Sequence, residues 1–269
     1  MIRSWTKKWF LILFLMASCF SYLVATTGEK YFKMATQAFK RGNYHKAVAF
    51  YKRSCNLRVG IGCTSLGSMY EDGDGVQKDL PKAIYYYRRG CHLKGGVSCG
   101  SLGFMYFNGI GVKQNYAKAL SLSKYACSLN YGISCNFAGY MYRNAKGVEK
   151  DLKKALTNFK RGCHLKDGAS CVSLGYMYEA GMDVRQNEEQ ALNLYKKGCS
   201  LKEGIGCHNV AVMYYTGKGA PKDLDKATLY YKKGCALGFS GSCKILEVVG
   251  NKSDNLQDDA QNDTQDDTQ

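Results

Sequence analysis

Cysteine carries the most reactive side chain in this sequence, and twelve of its 13 cysteines fall into six pairs: Cys55/Cys63, Cys91/Cys99, Cys127/Cys135, Cys163/Cys171, Cys199/Cys207 and Cys235/Cys243. Seven residues separate the members of each pair, and each pair recurs 36 residues after the last. Paired thiols can hold a metal or close a disulfide. No C-x-x-C occurs, and His92 and His164 follow their cysteines directly, without ligand spacing, so zinc is set aside and no metal or cofactor is expected. On one continuous helix, cysteines eight positions apart would lie about 12 Å from each other at ~1.5 Å per residue. A disulfide tolerates roughly 7 Å between Cα atoms. The chain must therefore turn between the two cysteines, as in "NLRVGIG" between Cys55 and Cys63, and the spacing predicts six bonds, each closing the tip of an antiparallel helical hairpin.

A second constellation is "SLSK", which sets Ser121 and Lys124 one helical turn apart, the arrangement by which a lysine activates a serine nucleophile. Other repeats fill the Ser121 slot with Tyr85, Thr157, Asn193 and Leu229. "SDN" at 253–255 falls in the tail and no K-T-G follows. Ser121 and Lys124 therefore read as ordinary exposed helix residues, and no catalytic residue is assigned.

The elements that position the cysteines repeat with them. Only 2 prolines against 30 glycines, the latter at recurrent positions, indicate helices punctuated by glycine turns. In "DLPKAIYYYRRGCHL", Ala83, Ile84, Tyr87 and Cys91 fall on one face of a first helix. Asp79 is its expected N-cap, and Asn43, Asn115, Asp151, Asn187 and Asp223 occupy the same slot. The second helix reads "VSCGSLGFMYFNG", where Gly103 recurs as Gly67, Gly139 and Gly175 and permits close helix approach. Gly73 and Gly75 supply positive φ between helix pairs. Ala145 and Asp183 break that rule, which predicts differently shaped or strained turns. Units of this size bury their apolar faces only by stacking on neighbours, so the fold class is an all-α solenoid of 36-residue helical hairpins.

The pattern L-G-x-M-Y-x-x-G-x-G-V-x-x-[DN]-x-x-K-A-x-x-Y-Y-x-x-G-C resembles the Sel-one-like repeat, and the added C-x7-C pairs are similar to the Helicobacter cysteine-rich protein family. The segment before them resembles a tetratricopeptide unit, with Ala35, Gly42, Tyr44, Ala47 and Tyr51 in the expected slots. The resemblance implies a right-handed α/α superhelix with one disulfide per helix pair, secreted or periplasmic. It also implies the family's alternative label, that of slow, penicillin-binding β-lactamases.

The ends differ from the repeats. Arg3, Lys7 and Lys8 precede an apolar run from Trp9 to about Phe20, the layout of a secretory signal over 1–27. Cys19 in "MASC" makes lipoprotein anchoring the minor alternative, with Met16 where leucine is usual. A leading helix over 28–42 and repeats over 43–250 follow, and the acidic tail 251–269 is expected to be disordered. The formal net charge of +16 suits an anionic surface as a possible partner, while export argues against nucleic acid. A peptide or protein from the bacterial envelope or a host is the preferred partner, a β-lactam or peptidoglycan-like ligand the alternative, and the chain is expected to be a monomer.

Slots constant in every repeat serve packing, as with Tyr70, Tyr106, Tyr142, Tyr178 and Tyr214. Slots that vary along the second helices predict a binding stripe of Phe104, Phe107, Asn136, Tyr140, Arg143, Tyr176, Glu179, His208 and Tyr215. In tetratricopeptide-like stacking this helix lines the concave groove, where an extended peptide would lie.

Overall fold

The computed structural model describes residues 26–248, so the expected signal segment before residue 26 and the acidic tail 251–269 lie outside the described residues. These residues form thirteen helices and no strand. The first, α1, spans 26–40. Six helix pairs follow: α2 (Tyr44–Asn56) with α3 (Gly60–Asp72), α4 (Leu80–His92) with α5 (Gly96–Asn108), α6 (Tyr116–Ser128) with α7 (Gly132–Arg143), α8 (Leu152–His164) with α9 (Gly168–Glu179), α10 (Glu188–Ser200) with α11 (Gly204–Thr216), and α12 (Leu224–Ala236) with α13 (240–248). They divide after Tyr131 into two compact units, α1–α6 and α7–α13.

Each first helix starts where its sequence says it must. The side chains of Asn43, Asp79, Asn115, Asp151, Asn187 and Asp223 each accept a hydrogen bond from the backbone N–H three residues on, at 2.8–3.2 Å. This satisfies an amide that the helix itself leaves unpaired.

Within each unit the most extensive packing joins a second helix to the first helix of the next repeat, as in α3 with α4 and α9 with α10; packing inside a hairpin is lighter. The disulfides close that lighter contact. Cys55–Cys63, Cys91–Cys99, Cys163–Cys171, Cys199–Cys207 and Cys235–Cys243 all bridge Cα atoms 4.5–4.7 Å apart. Cys127 and Cys135 are likewise oxidised. Each short loop so closed contributes roughly 2.5 kcal/mol by the chain-entropy formula.

Second and first helices meet closely because the recurrent glycine has no side chain. A Cβ on Gly139 would sit 2.6 Å from the ring of Phe159, and one on Gly175 would sit 2.7 Å from that of Tyr195. Of the constant tyrosines, Tyr106, Tyr142 and Tyr214 are buried and Tyr70 and Tyr178 half-buried. Tyr70 stacks on Tyr86 of the next repeat at 5.5 Å, and Tyr214 on Tyr230 at 6.0 Å.

Ala145 and Asp183 keep the turn geometry of the glycines they replace, at φ +52° and +55°. The strained alternative is thus the one realised. The hairpin tips add left-handed residues without a glycine signal: Arg58, Lys94, Asn130, Lys166 and Lys202 all lie at φ +61° to +66°.

Candidate functional site

In the C-terminal unit the second helices α7, α9 and α11 pack side by side. A cleft of about 560 Å³ opens along them. Its apolar lining is Leu152, Val172, Met182 and Ile205, its cations are Arg143 and Lys150, and Asn144, Ser173, Tyr176 and Asn209 add polar groups.

Arg143, at the end of α7, is held by two rings. Its guanidinium lies 5.7 Å from the centroid of Phe159 and 5.7 Å from that of Tyr176. Phe159 is fully buried and Tyr176 is 45% exposed. The buried ring anchors the guanidinium, and the other stays partly open to solvent. Beside it the Ser173 hydroxyl donates to Asn136 Oδ1 at 3.1 Å, and Asn144 Nδ2 donates to the Tyr140 carbonyl at 2.8 Å. Tyr140, 37% exposed, lies parallel to Phe137 with 6.4 Å between centroids. The cleft thus offers a fixed positive charge, side-chain amides and an aromatic face over an aliphatic floor. Such a surface suits an extended chain with both polar backbone and apolar side groups.

The other stripe residues divide. Glu179 accepts a 2.6 Å hydrogen bond from the hydroxyl of Tyr195, a residue only 1% exposed. Burial, with this bond second, raises the Tyr195 phenol above its ordinary range, so it stays a neutral donor. The half-buried His208 has Nδ1 3.1 Å from Ser242 Oγ and its ring 4.8 Å from Phe239, and burial lowers its pKa. Tyr215 is 55% exposed, with Lys222 Nζ 5.6 Å from its ring. In the N-terminal unit, Phe104 is exposed and Phe107 packs against Tyr116 at 5.0 Å.

The cleft therefore gathers Arg143 and Tyr176 from the predicted stripe, with Asn136 bonded to its wall. Ser173, Asn209 and Lys150 join them from outside that stripe. Ser173 and Asn209 occupy a slot two residues before the helix-glycine position, which holds Ala211 in the latter's repeat, and Ser65, Ser101 and Phe137 fill the slot elsewhere. That slot varies in character, which is the signal by which sequence could have found it. Ser121 and Lys124 lie exposed on α6, in the other unit.

The Sel1 repeat model matches six successive segments: 30–58, 61–94, 97–131, 132–167, 168–202 and 204–239. The chain belongs to the Sel1 repeat family. Among solved Sel1 structures, one from Oxalobacter formigenes superposes over 80% of this chain and 86% of its own, with TM-score 0.73 at 22% identity. The protein c5321, a protective antigen present in uropathogenic Escherichia coli strains, covers 80% of this chain and 47% of its own, with TM-score 0.71 at 24% identity. At such identities these establish the fold alone. In sequence, HcpD of Helicobacter pylori is 89% identical over 82 residues, 30% of this chain and 27% of HcpD. "Beta-lactamase HcpA" of the same species is 38% identical over 83 residues, 30% of this chain and 33% of HcpA. The chain spans at most a third of the length of these curated relatives.

Proposed function

We propose that this Sel1 repeat protein is a secreted or periplasmic scaffold that binds an extended peptide, or an extended segment of a protein partner, along the second helices α7, α9 and α11 of its C-terminal unit. The cleft around Arg143 and Tyr176 is the proposed anchoring point. The observation that carries this reading is the guanidinium held between a buried and an exposed ring, beside side-chain amides and an aliphatic floor. Such a combination grips a chain through its backbone and one apolar side group. One disulfide per repeat favours an oxidising compartment.

The β-lactamase label belongs to the relatives, HcpD as well as HcpA. For this chain the candidate pair Ser121 and Lys124 is exposed on a helix outside the cleft. Selection of random extended peptides on the oxidised protein, followed by titration of wild type and cleft variants, tests the scaffold reading. Robust nitrocefin turnover that Ser121→Ala abolishes would replace it with the enzymatic one.

A further inference from the structure

The first helices of the N-terminal unit have an unusual charge distribution. Together α2, α4 and α6 carry eight lysines or arginines and no Asp or Glu. Of the unit's carboxylates, Glu71, Asp72, Asp74 and Asp79 sit at the other end of the helix pairs, with Asp79 already bridged to Lys82 at 2.7 Å, and the exposed Glu29 stands at the edge of the tips, next to Gly28, which packs against Leu57 and Val59. Lys52, Arg88 and Lys124 occupy one repeat slot just before the last turns of these helices, and all are exposed. Just beyond, at the exposed hairpin tips, stand Arg58 and Lys94, held at φ +64° and +61°.

Neighbouring tips touch. Arg89 donates to Asn56 Oδ1 at 3.2 Å and to the Cys55 carbonyl at 3.3 Å in the preceding repeat, so the cation-bearing ends of α2 and α4 lie side by side as one band. A cation at a helix C-terminus is ordinarily explained by the helix dipole. Arg89 already serves the end of α2 in that way. Arg88 gives one N–H to the Tyr106 hydroxyl at 2.8 Å and keeps its other donors. Lys52, Arg58, Lys94 and Lys124 make no ion pair among the described residues. Like charges held in a row repel one another, and a multivalent anion laid along them relieves that repulsion and releases its own counterions.

We infer that this band docks a linear sulfated polysaccharide. A chain polymer with regularly spaced charges matches cations repeated once per hairpin. The ring of Tyr85, 53% exposed with Arg89 5.9 Å from its centroid, and that of Tyr125, 42% exposed, offer apolar faces to the C–H side of sugar rings within the band. The exposed residues of α2, α4 and α6 include no Val, Leu, Ile or Met to insert into a bilayer. The disulfides favour a compartment in which nucleic acid is not the usual polyanion. This face is separate from the cleft and does not depend on peptide binding there.

The probe is heparin, titrated into the oxidised full chain at physiological ionic strength. The triple variant Lys52→Gln, Lys94→Gln, Lys124→Gln removes three band charges. The control Lys33→Gln, Lys78→Gln, Lys113→Gln removes three exposed charges elsewhere in the same unit. The band variant should weaken heparin binding about tenfold or more and the control less than about twofold, with log affinity falling linearly in log salt for the wild type. Both variants should keep the wild-type helical melting curve, since every substituted residue is exposed. Equal losses in the two variants, no heparin binding by the wild type, or tighter binding to phosphatidylglycerol vesicles than to heparin would each overturn the inference.

Discussion

The Tyr195 hydroxyl lies 2.6 Å from Glu179 Oε2, and three repeats earlier Tyr87 and Glu71 form the same bond at 2.6 Å. Where the glutamate slot holds Arg143, the tyrosine slot holds Phe159, and the hydrogen bond becomes a cation–π contact. The pair changes as a unit, so the end of each second helix is chosen together with the helix that packs on it.

Tyr195→Phe should therefore lower stability by about 1–2 kcal/mol, because Glu179 loses its donor while remaining half-buried. Denaturant unfolding checks this, and peptide affinity at the cleft should be unchanged. A variant as stable as wild type would show that the bond contributes nothing net.

Ala145 occupies a left-handed backbone position, at φ +52°, that glycine fills in the equivalent turns. The penalty for a Cβ there is about 1–2 kcal/mol, partly offset by the greater freedom glycine gives the unfolded chain. Ala145→Gly is expected to raise stability by about 0.5–1 kcal/mol, read from the denaturant midpoint. Destabilisation would mean that the Ala145 methyl packs favourably enough to outweigh the strain.

His208 has its pKa lowered by burial beside Phe239 and Tyr231. Between that lowered value and the ordinary one of about 6.5, the unfolded chain binds more protons than the folded one. The contribution of His208 to stability is thus present above about pH 6.5 and declines as pH falls below it. Thermal unfolding of wild type between about pH 7.5 and 5 should show a steeper decline than that of His208→Gln, over roughly the range set by that linkage. Parallel curves would contradict the assignment.

Much of this architecture was legible from spacing. The N-cap slot, the helix glycine and the C-x7-C pairs recur without insertion, and each has a local physical requirement that sequence exposes directly. The tip geometry was not legible, because Arg58, Lys94 and Lys166 adopt a conformation ordinarily signalled by glycine or asparagine. Of the varying slots, Arg143 and Tyr176 line the cleft, whereas Glu179 and His208 are engaged by neighbouring side chains. Those two vary with their packing partners: Tyr195 for the first, and for the second Phe239, whose slot holds Val59, Gly95, Tyr131, Asp167 and Glu203 in the other repeats. A slot can change from repeat to repeat for recognition or for repacking, and only the three-dimensional neighbours separate the two. The anionic-surface expectation rested on net charge alone, whereas the position of the cations depends on which helix ends meet.

Peptide binding at the Arg143 cleft is tested most directly by isothermal titration of a peptide selected on the oxidised wild-type protein against the double variant Arg143→Ala, Tyr176→Ala. Loss of the guanidinium and of the exposed ring should weaken binding about tenfold or more, in the range of a small interface hot spot. The melting temperature should fall but the fold should persist, since the half-buried guanidinium loses contacts to two rings, one of them fully buried, each worth about 0.5–2 kcal/mol. Undiminished affinity in the double variant, with its fold intact, would place the binding surface elsewhere and contradict the assignment of this cleft.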